Sequence, residues 1–192
     1  MKNLWLLIFL LVAGCSDNSD NTTDCAKQAT NDVASANESA NNQVKTLLAS
    51  RYSAISNWEK NLPKHGAGST VFSIDVQKTL TSASPILFTV HLDDVFLGET
   101  NGITYAVFSH SYKPDKSVAD TDDADFVLKM KIQLTDEQTQ KLLSAPKDVI
   151  SDEYALVAKI SDVESSAEYP FDDDNWPTLL VKGTCVDFSL LK

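Results

Sequence analysis

The chain has little cysteine, glycine and proline, and it lacks the short motifs of common catalytic sites. Three cysteines, six glycines and six prolines occur among 192 residues. No glycine loop for phosphates, no G-x-S-x-G, no H-E-x-x-H and no C-x-x-C is present. Only three histidines are available as general bases or metal ligands. We therefore expect a protein that is not an enzyme and that binds no cofactor.

Positive charge is also scarce. Sixteen lysines and arginines oppose 27 aspartates and glutamates, which gives a formal net charge of −11. Nucleic acids need a basic surface to neutralise their phosphates, so we expect no nucleic-acid partner. An acidic protein attracts cationic partners instead.

No apolar run reaches the roughly 20 residues that a membrane-spanning helix needs. Residues 4–12 (LWLLIFLLV) are a short apolar run between the positively charged Lys2 and the small residues Ala13 and Gly14. This order is typical of a secretory signal peptide. An ordinary cleaved signal, in which Cys15 has no role, is one interpretation.

The stretch Leu11-Val12-Ala13-Gly14-Cys15 resembles the lipobox of bacterial lipoprotein precursors. The resemblance implies that residues 1–14 are a signal peptide and that Cys15 is lipidated, with palmitate among its acyl chains. Several chains on one cysteine make a stable membrane anchor. In this family an aspartate directly after the cysteine favours the inner membrane. Ser16 stands there, so the resemblance implies an outer-membrane lipoprotein facing the periplasm, with the inner membrane as the alternative.

Two further cysteines, Cys25 and Cys185, form an even pair in an oxidising compartment. We expect a disulfide between them, and two free thiols are the alternative. Such a bond would close a long loop and stabilise the fold by about 4–5 kcal/mol in the chain-entropy model.

The composition divides the mature chain into three parts. Residues 15–43 are rich in polar residues and predict a tether or a weak helix. An amphipathic period predicts a helix over residues 44–62, ended by Pro63 and Gly66. Residues 68–192 alternate with period two and predict a β domain.

Within the β domain, Thr135 and Gln138 form the capping box of a helix that runs to about Ala145. The apolar phase shifts at Asp93 and Asp94, which predicts a β-bulge there. The predicted strands are residues 71–76, 86–97, 103–110, 126–134, 154–163 and 178–190.

From Ile86 onwards the predicted order is strand, strand, strand, helix, strand, strand. This order resembles an OB-fold, and small periplasmic OB-domains, some of them lipoproteins, are similar. The resemblance implies an α+β, mostly β fold: an OB-like five-stranded barrel with an added N-terminal helix. A helix packed on an antiparallel sheet that does not close is the alternative.

The OB-fold resemblance implies a ligand or partner surface on the second and third strands and the flanking loops. On the strands this surface would include Phe108, His110, Lys129 and Lys131. The loop before the last strand combines aromatic anchors with carboxylates, as recognition loops do. Alternatively, its aromatic rings plug the barrel end. Its residues are Tyr169, Phe171, Asp172, Asp173, Asp174 and Trp176.

No metal is expected. The bulge would place His91 beside His110 on the outer face, but a third ligand is missing. The acidic segments 120–126 and 172–176 lack the glycine and glutamate of a calcium loop.

These features predict a lipid-anchored, non-catalytic binding or scaffold module, with a protein or glycan partner in the envelope. The alternative is an inhibitor or immunity protein, whose acidic surface neutralises a cationic toxin or an envelope hydrolase.

Overall fold

The computed structural model describes residues 22–62, 70–83, 85–99, 102–112, 126–145, 153–165 and 178–192. The chain divides into two units, Met1–Ala36 and Asn37–Lys192. All contacts given below lie within the second unit. Within the described part of the chain, no helix is both long enough and apolar enough to cross a membrane.

The described elements are three α-helices, a short 3-10 helix and five strands. In chain order they are α1 (Thr22–Tyr52), the 3-10 helix (Trp58–Asn61), α2 (Thr70–Ser82), β1 (Ile86–Leu97), β2 (Thr104–Tyr112), β3 (Phe126–Gln133), α3 (Asp136–Leu143), β4 (Glu153–Ser165) and β5 (Thr178–Leu190).

The five strands form a closed barrel with the order β1-β2-β3-β5-β4. The β3–β5 pair is parallel, and the other neighbouring strands are antiparallel. Helix α3 joins β3 to β4. The predicted OB-like barrel is therefore confirmed, and the sheet that does not close is excluded.

The barrel interior is filled by alternate side chains of the strands. On β3, Leu128, Met130 and Ile132 are fully buried, whereas Lys129 and Lys131 point outward. The register of β1 and β2 shifts between Leu92 and Asp94, so the predicted β-bulge is confirmed. The bulge keeps apolar side chains on the inner face on both sides of the shift.

The barrel needs a glycine where β5 crosses β4. A Cβ atom on the buried Gly183 would lie 2.5 Å from the carbonyl oxygen of Lys159. The register of β4 and β5 is irregular beside this point, between Ile160 and Asp162. The close approach of the two backbones excludes any larger residue without a shift of β4.

One edge of β1 is covered by chain that precedes the barrel. Strand β1 pairs with β4 over residues 86–91 and with β2 over residues 91–97. Residues 86–90 of β1 therefore have no register partner on the side that faces β2. The Ile55 amide donates to Pro85, and the Leu87 amide donates to Ile55. Nδ1 of His110 lies 2.8 Å from the carbonyl oxygen of Thr89. These contacts occupy groups that would otherwise invite pairing with another chain.

Helices close the two barrel ends. Trp58 and Leu80 join the interior cluster at the end where β1 begins, and Trp58 is only 2% exposed. Leu142 of α3 joins the same cluster from the segment after β3. At the start of α3, Thr135 and Gln138 form a capping box, so the predicted capping box is confirmed.

The outer faces of β1 and β4 are covered by the last turns of α1. Leu48 and Tyr52 pack with Leu87, Val157 and Leu191 in a second apolar cluster. This burial explains why the end of α1 is a stable helix, because an amphipathic face gains most of its stability from tertiary packing.

Two expectations for the N-terminal part are wrong. Residues 71–76 belong to helix α2 and not to a strand, because Val76 and Leu80 are both fully buried on one helical face. The helix predicted to extend to residue 62 ends at Tyr52. There Ser53 has φ 51°, and Ile55 then pairs with β1.

Candidate binding face

The outward side chains of β1, β2 and β3 form a mixed aromatic and polar surface. Phe96 of β1 is the register partner of Tyr105 on β2, and Ser109 of β2 is the register partner of Lys129 on β3. We call this surface the aromatic–lysine face. Its members are Asp93, Asp94, Phe96, Tyr105, Ser109, Lys129 and Lys131.

The aromatic half of the face is a ring pair with a cation above it. The Phe96 and Tyr105 rings lie with their centroids 5.7 Å apart and their planes 27° apart. Nζ of Lys131 lies 5.1 Å from the Phe96 centroid and 4.6 Å from the Tyr105 centroid. The negative ring faces attract the ammonium group, worth about 0.5–1 kcal/mol at an exposed site.

The polar half of the face is organised by the bulge residue Asp93. Nζ of Lys129 lies 2.9 Å from Oδ2 of Asp93, and the Ser109 hydroxyl donates to Oδ1 at 2.9 Å. Both carboxylate oxygens are therefore engaged. Asp94 follows, and its Oδ1 accepts the Val95 amide at 2.8 Å.

The described contacts of the helices leave this face uncovered. Helix α1 packs on Leu87 of β1 and Val157 of β4, and α2 contacts β4. Gln138 and Lys141 of α3 hydrogen-bond to β5. None of these described contacts involves the outward side chains of β2 or β3.

The face also differs in charge from the rest of the chain. Asp93, Asp94, Lys129 and Lys131 balance one another, whereas the whole chain carries −11. Among the described residues, no carboxylate lies within ion-pair distance of Lys131. Its neighbour across the β3–β5 register, Lys182, is paired with Glu164, and this hydrogen bond raises the pKa of Lys182.

Two predicted surface residues lie elsewhere. Phe108 is fully buried inside the barrel, because it pairs with Leu92 on the inner face. His110 shares the inner parity of Phe108, and its side chain is 13% exposed. Its ring contacts Trp58 and Phe88, with centroids 5.4 and 6.4 Å away. His110 is thus a barrel-end residue, and the prediction that it lies beside His91 on the outer face is wrong.

Comparison with protein-family models, with curated proteins and with solved structures finds no match. The aromatic–lysine face is therefore interpreted from its own geometry. Sequence reasoning placed Lys129 and Lys131 but missed Phe96 and Tyr105. The sequence does contain a signal for this ring pair. When Leu97 pairs with Thr104 across the turn, the antiparallel register places Phe96 opposite Tyr105.

Several predicted site residues fall outside the described side chains. These are Cys15, Cys25, Tyr169, Phe171, Asp172, Asp173, Asp174 and Trp176. Cys185 is described, as a free thiol. Burial raises the pKa of the Cys185 thiol to about 12. The disulfide stays a prediction, because the Cys25 side chain is not described.

A second polar cluster joins α1, α3 and β5 around Asp187. The Tyr52 hydroxyl donates to Oδ2 at 2.7 Å, and Nζ of Lys141 lies 2.9 Å from Oδ1. Partial burial opposes ionisation of Asp187. The hydrogen bonds from Lys141, Tyr52 and the Phe188 amide outweigh it and lower the pKa of Asp187. The bond to Asp187 raises the pKa of Tyr52.

The described residues contain no group of three side chains that could hold a metal ion. The described histidine–carboxylate pair is His110 and Glu59, 2.8 Å apart. The other ring nitrogen of His110 faces the Thr89 carbonyl, so among the described residues no serine, threonine or cysteine side chain is hydrogen-bonded to this ring. This arrangement serves packing at the barrel end.

Proposed function

We propose that the protein is a lipid-anchored, non-catalytic binding or scaffold module of the bacterial envelope, most consistent with the outer membrane and the periplasm. It binds its partner through the aromatic–lysine face. The observation that carries the proposal is an outer face that none of the described helix contacts covers, on a barrel whose interior is filled by side chains such as Phe88 and Phe108.

The position of the face supports this proposal. OB-folds bind ligands on the face of their second and third strands, with the loops beside it. In this chain those strands are β2 and β3, which carry Tyr105, Lys129 and Lys131. Tyrosine is among the residues that most often dominate the binding energy of an interface.

The lipid anchor rests on the lipobox sequence around Cys15. We expect the full chain, expressed in a Gram-negative host, to incorporate labelled palmitate and to sediment with membranes. The Cys15→Ser variant should lose the label and leave the membrane fraction. Equal labelling of the two proteins would overturn the anchor. A Cys185→Ser variant, which keeps Cys15, is the matched control.

The binding role is tested by capture from envelope extract with the full chain in mild detergent. We expect captured material to be reduced by Phe96→Ala and by Tyr105→Ala. The Leu47→Ala variant, which truncates a side chain 64% exposed on α1, should capture as the wild type does. Identical capture by all four proteins would contradict binding through this face.

An inhibitor of a cationic toxin or envelope hydrolase is the second candidate. It is favoured by the acidic segments 113–125 and 166–177, which the sequence places between strands. Tyr112 pairs with Phe126, and Ser165 pairs with Leu179, so both segments leave and enter the barrel at one end. This function predicts capture of one basic protein that is released by high salt. It also predicts loss of capture when Asp172, Asp173 and Asp174 are changed to asparagine.

A further inference from the structure

We propose that His110 is a pH-sensitive switch that fastens the segment before the barrel to the barrel end. We call this segment, residues 54–62, the barrel-end segment. When the His110 ring carries two protons, it bridges the segment to β1. When the ring loses one proton, one of its two contacts is broken and the segment opens more often. This inference goes beyond the proposed function and does not depend on it.

Both ring nitrogens of His110 face oxygen atoms that accept hydrogen bonds. Nδ1 lies 2.8 Å from the carbonyl oxygen of Thr89, and Nε2 lies 2.8 Å from Oε1 of Glu59. A carbonyl or carboxylate oxygen has no hydrogen to donate, so each contact is a hydrogen bond only when the nitrogen carries a proton. A neutral imidazole has one N–H group and an imidazolium ion has two. The two contacts therefore fit the charged ring.

The neutral ring does not fit the same place. One of its nitrogens would turn a lone pair toward an oxygen atom 2.8 Å away. The His110 side chain is 13% exposed, and its ring contacts the Trp58 and Phe88 rings. Because the ring is little exposed, water replaces a lost partner poorly, and an unmade hydrogen bond in such a place is costly.

Glu59 is the charged group that faces His110 from the segment before the barrel. It lies on the 3-10 helix, whose other charged residue, Lys60, is exposed. Helix α2 contacts the 3-10 helix, and the charged atoms of its Asp75 and Lys78 lie 4.0 Å from each other. Within the described part of the chain, Glu59 is the residue whose charge lies within ion-pair distance of the ring.

The described strand residues around His110 add no second charge to this contact. Strand β2, which carries His110, has no lysine, arginine, aspartate or glutamate. On β1 the Thr89 carbonyl oxygen faces Nδ1, and the nearest titratable residue along that strand, His91, is exposed. On β3 the register partner of His110 is the uncharged Leu128. The charge state of the Glu59–His110 pair therefore decides whether both hydrogen bonds are made.

The amides of the barrel-end segment report whether it is open. The Lys60 amide donates to the Asn57 carbonyl at 3.2 Å, and the Leu62 amide donates to the Glu59 carbonyl at 3.1 Å. Such amides exchange their hydrogen with solvent when a segment opens locally. Trp58 belongs to the interior cluster, so opening of the segment also uncovers an apolar barrel end.

Hydrogen exchange of the full chain in mild detergent tests the switch at about pH 5.5 and about pH 8.5, because histidine rings change their charge between such values. The rate at residues 58–62 in His110→Phe is divided by the wild-type rate at the same pH, which cancels the direct effect of pH on exchange. We expect a ratio of about ten or more at the acidic pH and less than about three at the alkaline pH, where the bridge is broken in both proteins.

Glu59→Gln distinguishes the switch from a purely structural role of the pair. The glutamine amide accepts a hydrogen bond from a protonated Nε2 through its oxygen and donates one to an unprotonated Nε2 through its nitrogen. The contact is then available in both states of the His110 ring. We expect the rate in His110→Phe divided by the rate in Glu59→Gln to change less than about twofold between the two pH values.

His91→Phe is the matched control, because it removes an exposed histidine and should keep the wild-type exchange rates at both pH values. The thermal unfolding midpoint of each variant is measured first. If His110→Phe does not fold, the wild-type rate divided by the Glu59→Gln rate carries the test, and it should rise from the acidic to the alkaline pH. A wild-type ratio that is equal at both pH values overturns the switch. A pH dependence that persists unchanged in Glu59→Gln also overturns it, because a different group then titrates.

Discussion

At the scale of single residues, Asp187 has more described partners than the other carboxylates. It accepts hydrogen bonds from Tyr52, Lys141 and the Phe188 amide, and so connects α1, α3 and β5. Hydrogen bonds to a charged group are worth about 1.5–3 kcal/mol when little exposed. The side chain of Asp187 is 18% exposed, so these bonds are only partly screened by water.

We expect Asp187→Asn to lower the free energy of unfolding by roughly 1–2 kcal/mol at pH 7. The lowered pKa of Asp187 sets the sign of the pH dependence. The stabilisation is complete above the unfolded pKa of about 3.9 and is lost as pH falls through the lower folded value. The difference in the free energy of unfolding between wild type and Asp187→Asn should therefore become smaller below about pH 4.

Urea unfolding at several pH values measures this difference. Asp75→Asn is the control, because Asp75 is 49% exposed and its nearest ammonium, on Lys78, is 4.0 Å away. The free energy of unfolding of Asp75→Asn should match that of the wild type within about 0.5 kcal/mol. If the free energy of unfolding of Asp187→Asn differs from that of the wild type by the same amount from pH 7 to pH 3, the Asp187 charge does not have the stabilising role assigned to it.

At the scale of elements, alternation in the sequence predicted the barrel strands well. Strands β1 and β5 have the bounds that their period indicated, because each residue in them faces either the core or the outside. The bulge followed from the shift of phase at Asp93. These features are local, so the sequence carries them directly.

The elements that the sequence did not predict depend on tertiary contacts. Residues 71–76 alternate as a strand would, and only the burial of Val76 and Leu80 at the barrel end selects a helix. The end of α1 at Tyr52 depends on the pairing of Ile55 with β1. Phe108 has an inward parity, but which parity faces inward is decided by closure of the barrel.

The 3-10 helix is held to the barrel by His110. Its two ring nitrogens lie 2.8 Å from two acceptors, the Thr89 carbonyl oxygen and the Glu59 carboxylate. We expect His110→Phe to keep the ring contacts with Trp58 and to lose both hydrogen bonds. The Thr89 carbonyl oxygen then loses its contact with the His110 ring, and an unpaired carbonyl lowers the stability of this segment by about 1–3 kcal/mol.

Hydrogen exchange followed by mass spectrometry measures this effect. The amides of residues 58–61 should exchange faster in His110→Phe, while those of β3 change less, because the segment opens locally. His91→Phe is the matched control, since His91 is exposed on the outer face. Unchanged exchange at residues 58–61 in the His110 variant would rule out this role of the hydrogen bonds.

At the scale of the whole molecule, the end of α1 and the barrel form one folded body within Asn37–Lys192. Leu48 packs with Leu87, Ala155 and Val157 on the outside of the barrel. The Asn41 side chain also makes two hydrogen bonds with the backbone of Lys192, at 2.8 and 2.9 Å. Apolar burial and hydrogen bonds thus join an early helix to the last residue of the chain.

Two adjacent leucines on α1 test this coupling. Leu48 is 6% exposed and Leu47 is 64% exposed, so the same substitution removes a core side chain in one variant and a surface side chain in the other. We expect Leu48→Ala to lower the free energy of unfolding by about 2–4 kcal/mol and Leu47→Ala by less than about 0.5 kcal/mol. Circular dichroism of the backbone should report a single transition, shifted only in Leu48→Ala. The contrary result is that Leu48→Ala unfolds in two transitions, a helical one at lower denaturant concentration and a barrel one at the wild-type midpoint. That result would contradict the coupling, because the barrel would then fold without the end of α1.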